Sequence, residues 1–336
     1  MIIFVFDKDY VKMEKERIPI IFCIDNRMVM PLGVAITSLV LNAGGVVYDI
    51  YIVVDETVSE NDKDRLKSLE SYFQIPFTIT FIEITNKFNS VVSSRSYWSK
   101  ANYYRLLLPE LFPQFDMVIY SDADIIFQSS LKDVYKSLGD NFLAASQDNM
   151  KSPLIQEQTK LLELKVGQIY FCAGFLVLNL QKLRDNNLVS KSLELVKRNF
   201  KCMDQYVLNF LCKGKVVYLS PFVCRFSIQT HPINPMEEKY LLDDDNNIRS
   251  LNEAAIHYIG RDKPWNSFCH RWEVWWYYYT RSPFFDANFY WQHQHDYTNG
   301  DFLSLYQRIK LLIRYFVGKD STIRKFIRKL SSIKTY

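Results

Sequence analysis

Residues 117–127, MVIYSDADIIF, run an apolar strand-type segment straight into two aspartates one residue apart. On an extended backbone residues i and i+2 face the same side, so Asp122 and Asp124 can chelate one hard cation together. Spacing alone is weak, because Asp-x-Asp occurs four times, at Asp7/Asp9, Asp62/Asp64, Asp122/Asp124 and Asp243/Asp245. Only the pair at 122 and 124 has buried-type apolar sequence on both sides; the others read as solvated surface. Two carboxylates held close in such surroundings repel unless a cation compensates them. His257, Lys263 and Arg105 are the candidates for completing the cluster. Two carboxylates and an imidazole make half of a coordination shell suited to Mn²⁺ or Mg²⁺, leaving oxygen positions for a diphosphate. Lys263 follows His257 across a turn at Gly260 and can bring an ammonium to the same phosphates, stabilising a departing nucleoside diphosphate. Taken singly, His257 reads more readily as a satisfied strand residue and Lys263 as solvated surface. The combination is what points to chemistry.

The elements that must position these groups follow from the hydrophobic pattern. Residues 18–24, IPIIFCI, are a continuous β-type run of the kind buried on both faces. Pro31 opens a helical pattern that stops at Gly44–Gly45, and residues 46–54 read as the second strand. Ser59 with Asp62 has the form of a capping box for a charged helix to about Phe73. Residues 77–84 are a third strand, and 100–108 a helix leading towards the aspartate pair. This alternation predicts an α/β protein with a mostly parallel sheet flanked by helices. Neither G-x-G-x-x-G nor G-x-x-x-x-G-K-[ST] occurs, so a nucleotide is not held by a Rossmann or P-loop cradle, and a metal must neutralise its phosphates. Further on, residues 170–180 are strand-like, with Ala173–Gly174 small enough to admit a close ligand. Residues 204–211 start a helix, and 254–259 form another strand that ends at Gly260.

The 336 residues, 48% hydrophobic and 23% charged, are those of an ordinary globular protein. Six cysteines, none in a C-x-x-C pair, read as reduced core thiols of a cytosolic protein. No apolar run is long enough to span a bilayer, and the opening MIIFVF is not a signal peptide. The net charge of +4 is concentrated at the end, where residues 302–336 hold nine Lys or Arg and one acidic residue. There Phe302, Leu305, Ile309, Leu312, Ile313 and Phe316, then Ile323, Phe326, Ile327, Leu330 and Ile333, follow helical spacing with basic residues between them. Such a basic amphipathic helical tail suits an anionic membrane surface rather than nucleic acid. The chain divides into an extension at 1–17, a catalytic domain at 18–268, and an aromatic and basic region at 269–336.

Several blocks, IFCIDN, YYRLLLPELFPQFDMVIYSDADIIF, YFCAGFLVLNLQKLR, DQYVLNFLCKG and IHYIGRDKPW, stand in the order and approximate spacing of glycosyltransferase family 8. The chain resembles most its bacterial lipopolysaccharide core galactosyl- and glucosyltransferases, because YWSKANYYR and the aromatic segment after KPW are also similar to theirs. The resemblance covers residues 18–265. It implies a GT-A fold, a Rossmann-like mixed sheet flanked by helices, with a UDP-galactose or UDP-glucose donor, a divalent metal, usually Mn²⁺, and transfer with retention of the α configuration. Asp122 and Asp124, with Ala123 between them, match the family's D-x-D motif, and His257 its third metal ligand. Gly260 and Lys263 match diphosphate contacts, Arg105 a donor contact, and Asp25 and Asn26 the nucleoside edge. Asp204 and Gln205 match the pair beside the anomeric carbon. Ala173 and Cys172 fall in the donor-binding F-N-A-G block, and Asp148 where family members contact the sugars.

The chain departs from the family pattern at two points. Cys172 stands where Asn is common, which removes a polar contact to the sugar. Arg27 stands where an aromatic residue often follows Asp-Asn, and its guanidinium can stack flat on uracil. A peripheral position on the cytoplasmic face of a bacterial inner membrane follows from the resemblance and the tail together, with a lipopolysaccharide core or similar oligosaccharide as acceptor. Two other readings are a glycogenin-like protein that glucosylates one of its 22 tyrosines, and a UDP-sugar binding protein without turnover.

Overall fold

Residues 15–84, 99–148, 152–198, 200–220, 223–226, 255–267 and 269–299 are described in a computed structural model of the chain. The apolar run near the start forms β1 (Arg17–Ile24), buried along all but its first residue. It lies between two parallel neighbours, β2 (Val47–Val54) and β4 (Met117–Ser121), so neither face requires polar residues. At the edge, β3 (Phe77–Glu83) pairs parallel with β2 and begins with alternating buried and exposed residues. On the other side of β4 the direction reverses. There β7 (Phe171–Asn179) runs antiparallel to β4, β6 (Leu143–Gln147) antiparallel to β7, and β8 (Val216–Tyr218) parallel to β6. The order is β3-β2-β1-β4-β7-β6-β8, a mixed sheet whose parallel half is the one its strand and helix alternation predicts.

Three short strands form a second sheet, of which the hydrophobic pattern announces only the strand expected at 254–259. In it β10 (Ala255–His257) runs antiparallel to β5 (Ile125–Ile126) and parallel to β9 (Cys224–Phe226). His257 is registered with Ile125, beside Asp124.

The helix Val29–Leu41 is buried almost all round, because one side packs on the sheet and another on the aromatic helix Trp272–Tyr279. Gly33 permits this approach: a Cβ there would lie 2.2 Å from Phe284 Cε2. Asn42 Nδ2 donates to Tyr278 Oη at 2.9 Å and to the Phe127 carbonyl at 3.1 Å. Trp275, Trp276 and Tyr279 share one apolar core with Ile20 and Leu32, so this segment closes the face of the main sheet. The Ser59–Asp62 capping box is present at the helix Glu60–Lys67. Where a helix is expected over residues 100–108, the backbone winds more tightly, as a 3₁₀ helix over Lys100–Leu107 that passes into a short α-helix, Leu108–Leu111. All six cysteines are buried and none forms a disulfide. Among the described residues no helix is long and apolar enough to cross a membrane. The basic tail from 302 onwards lies outside the described residues.

Candidate functional site

The parallel strands β1 and β4 end side by side, and Asp25 and Asp122 follow directly from them. This is the crevice where open α/β sheets bind ligands. Asp122 extends the β4–β7 ladder by donating its N–H to the Gly174 carbonyl at 2.7 Å. Tyr258 donates its N–H to the Asp124 carbonyl at 3.0 Å, extending the β5–β10 pairing. These two ladders bring Asp122, Asp124 and His257 together, with one donor atom from each within 4.8 Å of the others. His257 Nε2 lies 3.2 Å from Asp124 Oδ1 and 3.9 Å from Asp122 Oδ2. Asp124 Oδ1 is buried yet accepts no well-formed hydrogen bond.

Gly174 is the space in which this cluster sits. A Cβ there would lie 2.3 Å from His257 Cε1 and 2.8 Å from Asp122 Oδ2. Ala173 and Gly174 also line the cavity, and the space beside Gly174 holds the side chains of the cluster. An oxygen, oxygen and imidazole-nitrogen set, with a buried carboxylate oxygen that accepts no well-formed hydrogen bond, fits a divalent cation of the Mn²⁺ or Mg²⁺ kind. Burial favours the neutral form of Asp124, but Lys263 and His257 outweigh it and hold the carboxyl well below its ordinary value. Lys263 Nζ is 2.5 Å from Asp124 Oδ2 and donates to the Tyr258 carbonyl at 2.5 Å. Gly260, at φ 87°, makes the turn that brings the lysine back.

Behind the cluster Arg105 is a buried hub. Its Nη2 is 3.0 Å from Asp122 Oδ1 and its Nε 3.0 Å from Asp204 Oδ2. Nη1 donates to the Ala173 carbonyl, Nε also donates to the Asn102 carbonyl at 2.9 Å, and the guanidinium lies 4.5 Å over the Tyr120 ring. Burial opposes the charge of Arg105, yet the two carboxylates raise its pKa above the ordinary guanidinium value. Asp204 is pushed up to about 6 by burial, which the guanidinium only partly offsets, being shared with Asp122. Tyr120 Oη, kept protonated by its own burial, donates to Asp122 Oδ1 at 2.6 Å.

Gln205 is fixed at both ends of its amide. Its Oε1 accepts from the Ala173 N–H at 3.0 Å, and its Nε2 donates to Asp148 Oδ2 at 2.7 Å. The helix Met203–Leu211 that carries Asp204 and Gln205 is tied to β7 by Asn209, which exchanges two hydrogen bonds of 2.9 Å with the Phe171 backbone. Cys172 lines the same cavity, and its Sγ is 3.8 Å from His257 Nδ1. Asp25 accepts the Arg27 N–H at 3.0 Å on Oδ1, and its Oδ2 accepts Arg27 Nε at 3.0 Å and Nη2 at 2.6 Å. The guanidinium is thereby fixed at the cavity edge.

One cavity of about 570 Å³ is lined by Asp25, Arg105, Asp122, Ala123, Asp124, Asp148, Cys172, Ala173, Asp204, Gln205, His257, Gly260 and Lys263. Asn26 is exposed and outside this lining, with its N–H bonded to Thr57 Oγ1 at 3.2 Å. Sequence reasoning missed Tyr120, Asn102 and Asn209, each of which orients a site group; Asn102 also lines the cavity, while Tyr120 and Asn209 lie outside the lining. Tyr120 alone had a local signal: it lies two residues before Asp122 on the same strand face.

A family model described as glycosyl transferase family 8 matches residues 1–269. The chain is 28% identical over 267 residues to a lipopolysaccharide 1,2-glucosyltransferase of Escherichia coli K12, covering 77% of this chain and 75% of that one. It is 23% identical over 268 residues to a lipopolysaccharide 1,3-galactosyltransferase of Salmonella typhimurium, covering 76% and 75%. Among solved structures, the galactosyltransferase LgtC with donor and acceptor sugar analogs superposes with a TM-score of 0.66 at 24% identity, covering 81% of this chain and 98% of that one. The fold is therefore that of the GT-A enzymes, and the chain belongs to glycosyltransferase family 8.

Proposed function

We propose that this chain is a metal-dependent hexosyltransferase that moves galactose or glucose from a UDP-sugar to a lipopolysaccharide core or similar oligosaccharide, with retention of the α configuration. The observation that carries the reading is the convergence of Asp122, Asp124 and His257, with His257 Nε2 3.2 Å from the buried Asp124 Oδ1, at the crevice beyond β1 and β4. Asp122, Asp124 and His257 would hold the cation, which when bound supplies Lewis-acid stabilisation of the diphosphate leaving group. Lys263 adds a cationic donor at the same end of the cavity. Asp25 and Arg27 form the edge for the nucleoside, with the guanidinium presented as a flat, cationic surface.

Retention requires either a nucleophile of the enzyme or attack from the face the leaving group departs. Gln205 is a neutral amide held at both ends, which suits it to orienting a sugar rather than attacking it. Asp204 is buried and engaged by Arg105, which weakens it as a nucleophile. Both observations favour same-face attack, with the departing phosphate oxygen taking the acceptor's proton. Membrane attachment through the basic tail belongs to the same proposal, since it would bring a glycolipid acceptor to the cavity. Deleting residues 321–336 is expected to lower recovery on anionic liposomes while UDP-sugar hydrolysis persists; full sedimentation of the truncated chain contradicts that part.

The test is incubation with a panel of UDP-sugars and core oligosaccharide acceptors, with NMR of the product. A single hexose added in α-linkage supports the reading. Transfer only to the protein itself, or a β-linked product, overturns it.

A further inference from the structure

We propose that Lys263 is a resident counter-ion that exchanges Asp124 for the donor's diphosphate when a dication arrives, coupling metal binding to nucleotide binding. The inference rests on the reading of Asp122, Asp124 and His257 as a metal site. The ammonium sits 2.5 Å from Asp124 Oδ2, while the other oxygen of that carboxylate lies 3.2 Å from His257 Nε2. Lysine and metal therefore draw on one carboxylate. The backbone of Lys263 is pinned, because its N–H donates to Asn266 Oδ1 at 2.9 Å and its carbonyl accepts from Asn266 and Ser267 at 3.1 and 2.9 Å. Its four-carbon side chain is the part free to swing, and it lines the same cavity as the metal ligands.

A buried carboxylate needs a positive partner, and Lys263 supplies it with no metal bound. A dication on Asp124 would face the ammonium across a few ångströms of weakly screened space, and like charges there repel strongly. The ammonium then requires another anion, and the donor's phosphates would offer one at the same end of the cavity. Each ligand removes part of the other's cost, so by linkage the coupling is reciprocal. Without nucleotide, a metal must displace Lys263 from Asp124 with no phosphate to receive it, since the other carboxylates of the cavity are engaged, Asp25 by Arg27, Asp204 by Arg105 and Asp148 by Gln205.

Manganese binding to the full-length chain, followed by loss of the free Mn²⁺ electron paramagnetic resonance signal, tests this directly. Without UDP, Lys263→Met is expected to bind Mn²⁺ about tenfold more tightly than wild type, within the ~5–150-fold range typical of such couplings. UDP should tighten Mn²⁺ binding to wild type but change Lys263→Met much less. Lys263→Arg, which keeps a cation, should retain the weak nucleotide-free binding. If Lys263→Met unfolds without metal, the melting temperature of Lys263→Gln should rise more on adding Mn²⁺ than that of wild type does. Equal nucleotide-free affinities for wild type and Lys263→Met, or equal thermal shifts, overturn the exchange and leave the metal site standing. Failure of wild type to bind Mn²⁺ even with UDP removes the metal site and the exchange with it.

Discussion

The site is built from side chains that satisfy one another's charge, and its residues differ in what their removal should do. Gly174 touches no substrate atom in this account, yet a methyl group there would collide with His257 and Asp122. Gly174→Ala is expected to cost about 1–3 kcal/mol of stability as overpacking and to abolish most Mn²⁺ binding; chemical denaturation and metal titration read the two effects separately. Asp204 carries a pH signature. Its folded pKa of about 6 is raised above the ordinary 3.8, so its contribution to stability is full below about pH 4 and lost as pH rises through 6. Without metal, Asp204→Asn should therefore gain on wild type by about 2–3 kcal/mol between pH 4 and 7, since one pKa unit is ~1.4 kcal/mol. Urea melts across that range check the sign. Arg105 explains why so strongly perturbed a carboxylate is tolerated, because the guanidinium holds Asp122 and Asp204 in one buried ion network.

At the scale of elements, two short-range ladders assemble a long-range cluster. The β4–β7 pairing sets Asp122 against Gly174, and the β5–β10 pairing sets His257 beside Asp124. Asn209 anchors the helix of Asp204 and Gln205 to β7 through both polar groups of Phe171. Asn209→Ala leaves that buried N–H and C=O without their side-chain partner, for about 1–3 kcal/mol each at most. The expected result is a lower denaturation midpoint together with a fall in kcat, as Gln205 loses its fixed orientation. The strands β1 to β4 and their capped helix were legible because their signals are local: continuous apolar runs, a Ser-x-x-Asp box and a Gly-Gly stop. Of the second sheet only β10 was legible, within the run 254–259; its partners β5 and β9, of two and three residues, carry no period and owe their existence to distant partners. Residue identity announced Asp122, Asp124 and His257 as ligand types, and the resemblance to a family joined them. The Asp124–Lys263 ion pair, the turn of Cys172 towards the imidazole and the clamp of Asp25 on Arg27 depend on side-chain directions that spacing does not specify.

The molecule as a whole places its cavity at the carboxyl ends of the parallel strands, while the aromatic helix Trp272–Tyr279 closes the core beside it, with Trp275 5.3 Å from the cavity-lining Trp265. Trp275 and Tyr279 are stacked at 5.1 Å and almost wholly buried against the helix Val29–Leu41. Trp275→Ala is expected to cost about 3–5 kcal/mol, read by thermal melting, although it lies outside the cavity lining. The matched family region ends at residue 269, so the helix Trp272–Tyr279 completes the core with residues beyond that match. Turnover in this account depends on a dication held between Asp122, Asp124 and His257. The decisive measurement is UDP release from a UDP-hexose by protein stripped with chelator and then titrated with Mn²⁺. Activity is expected to disappear on stripping, return saturably in wild type and fail to return in Asp124→Asn. Undiminished UDP release by the stripped wild-type protein would contradict it.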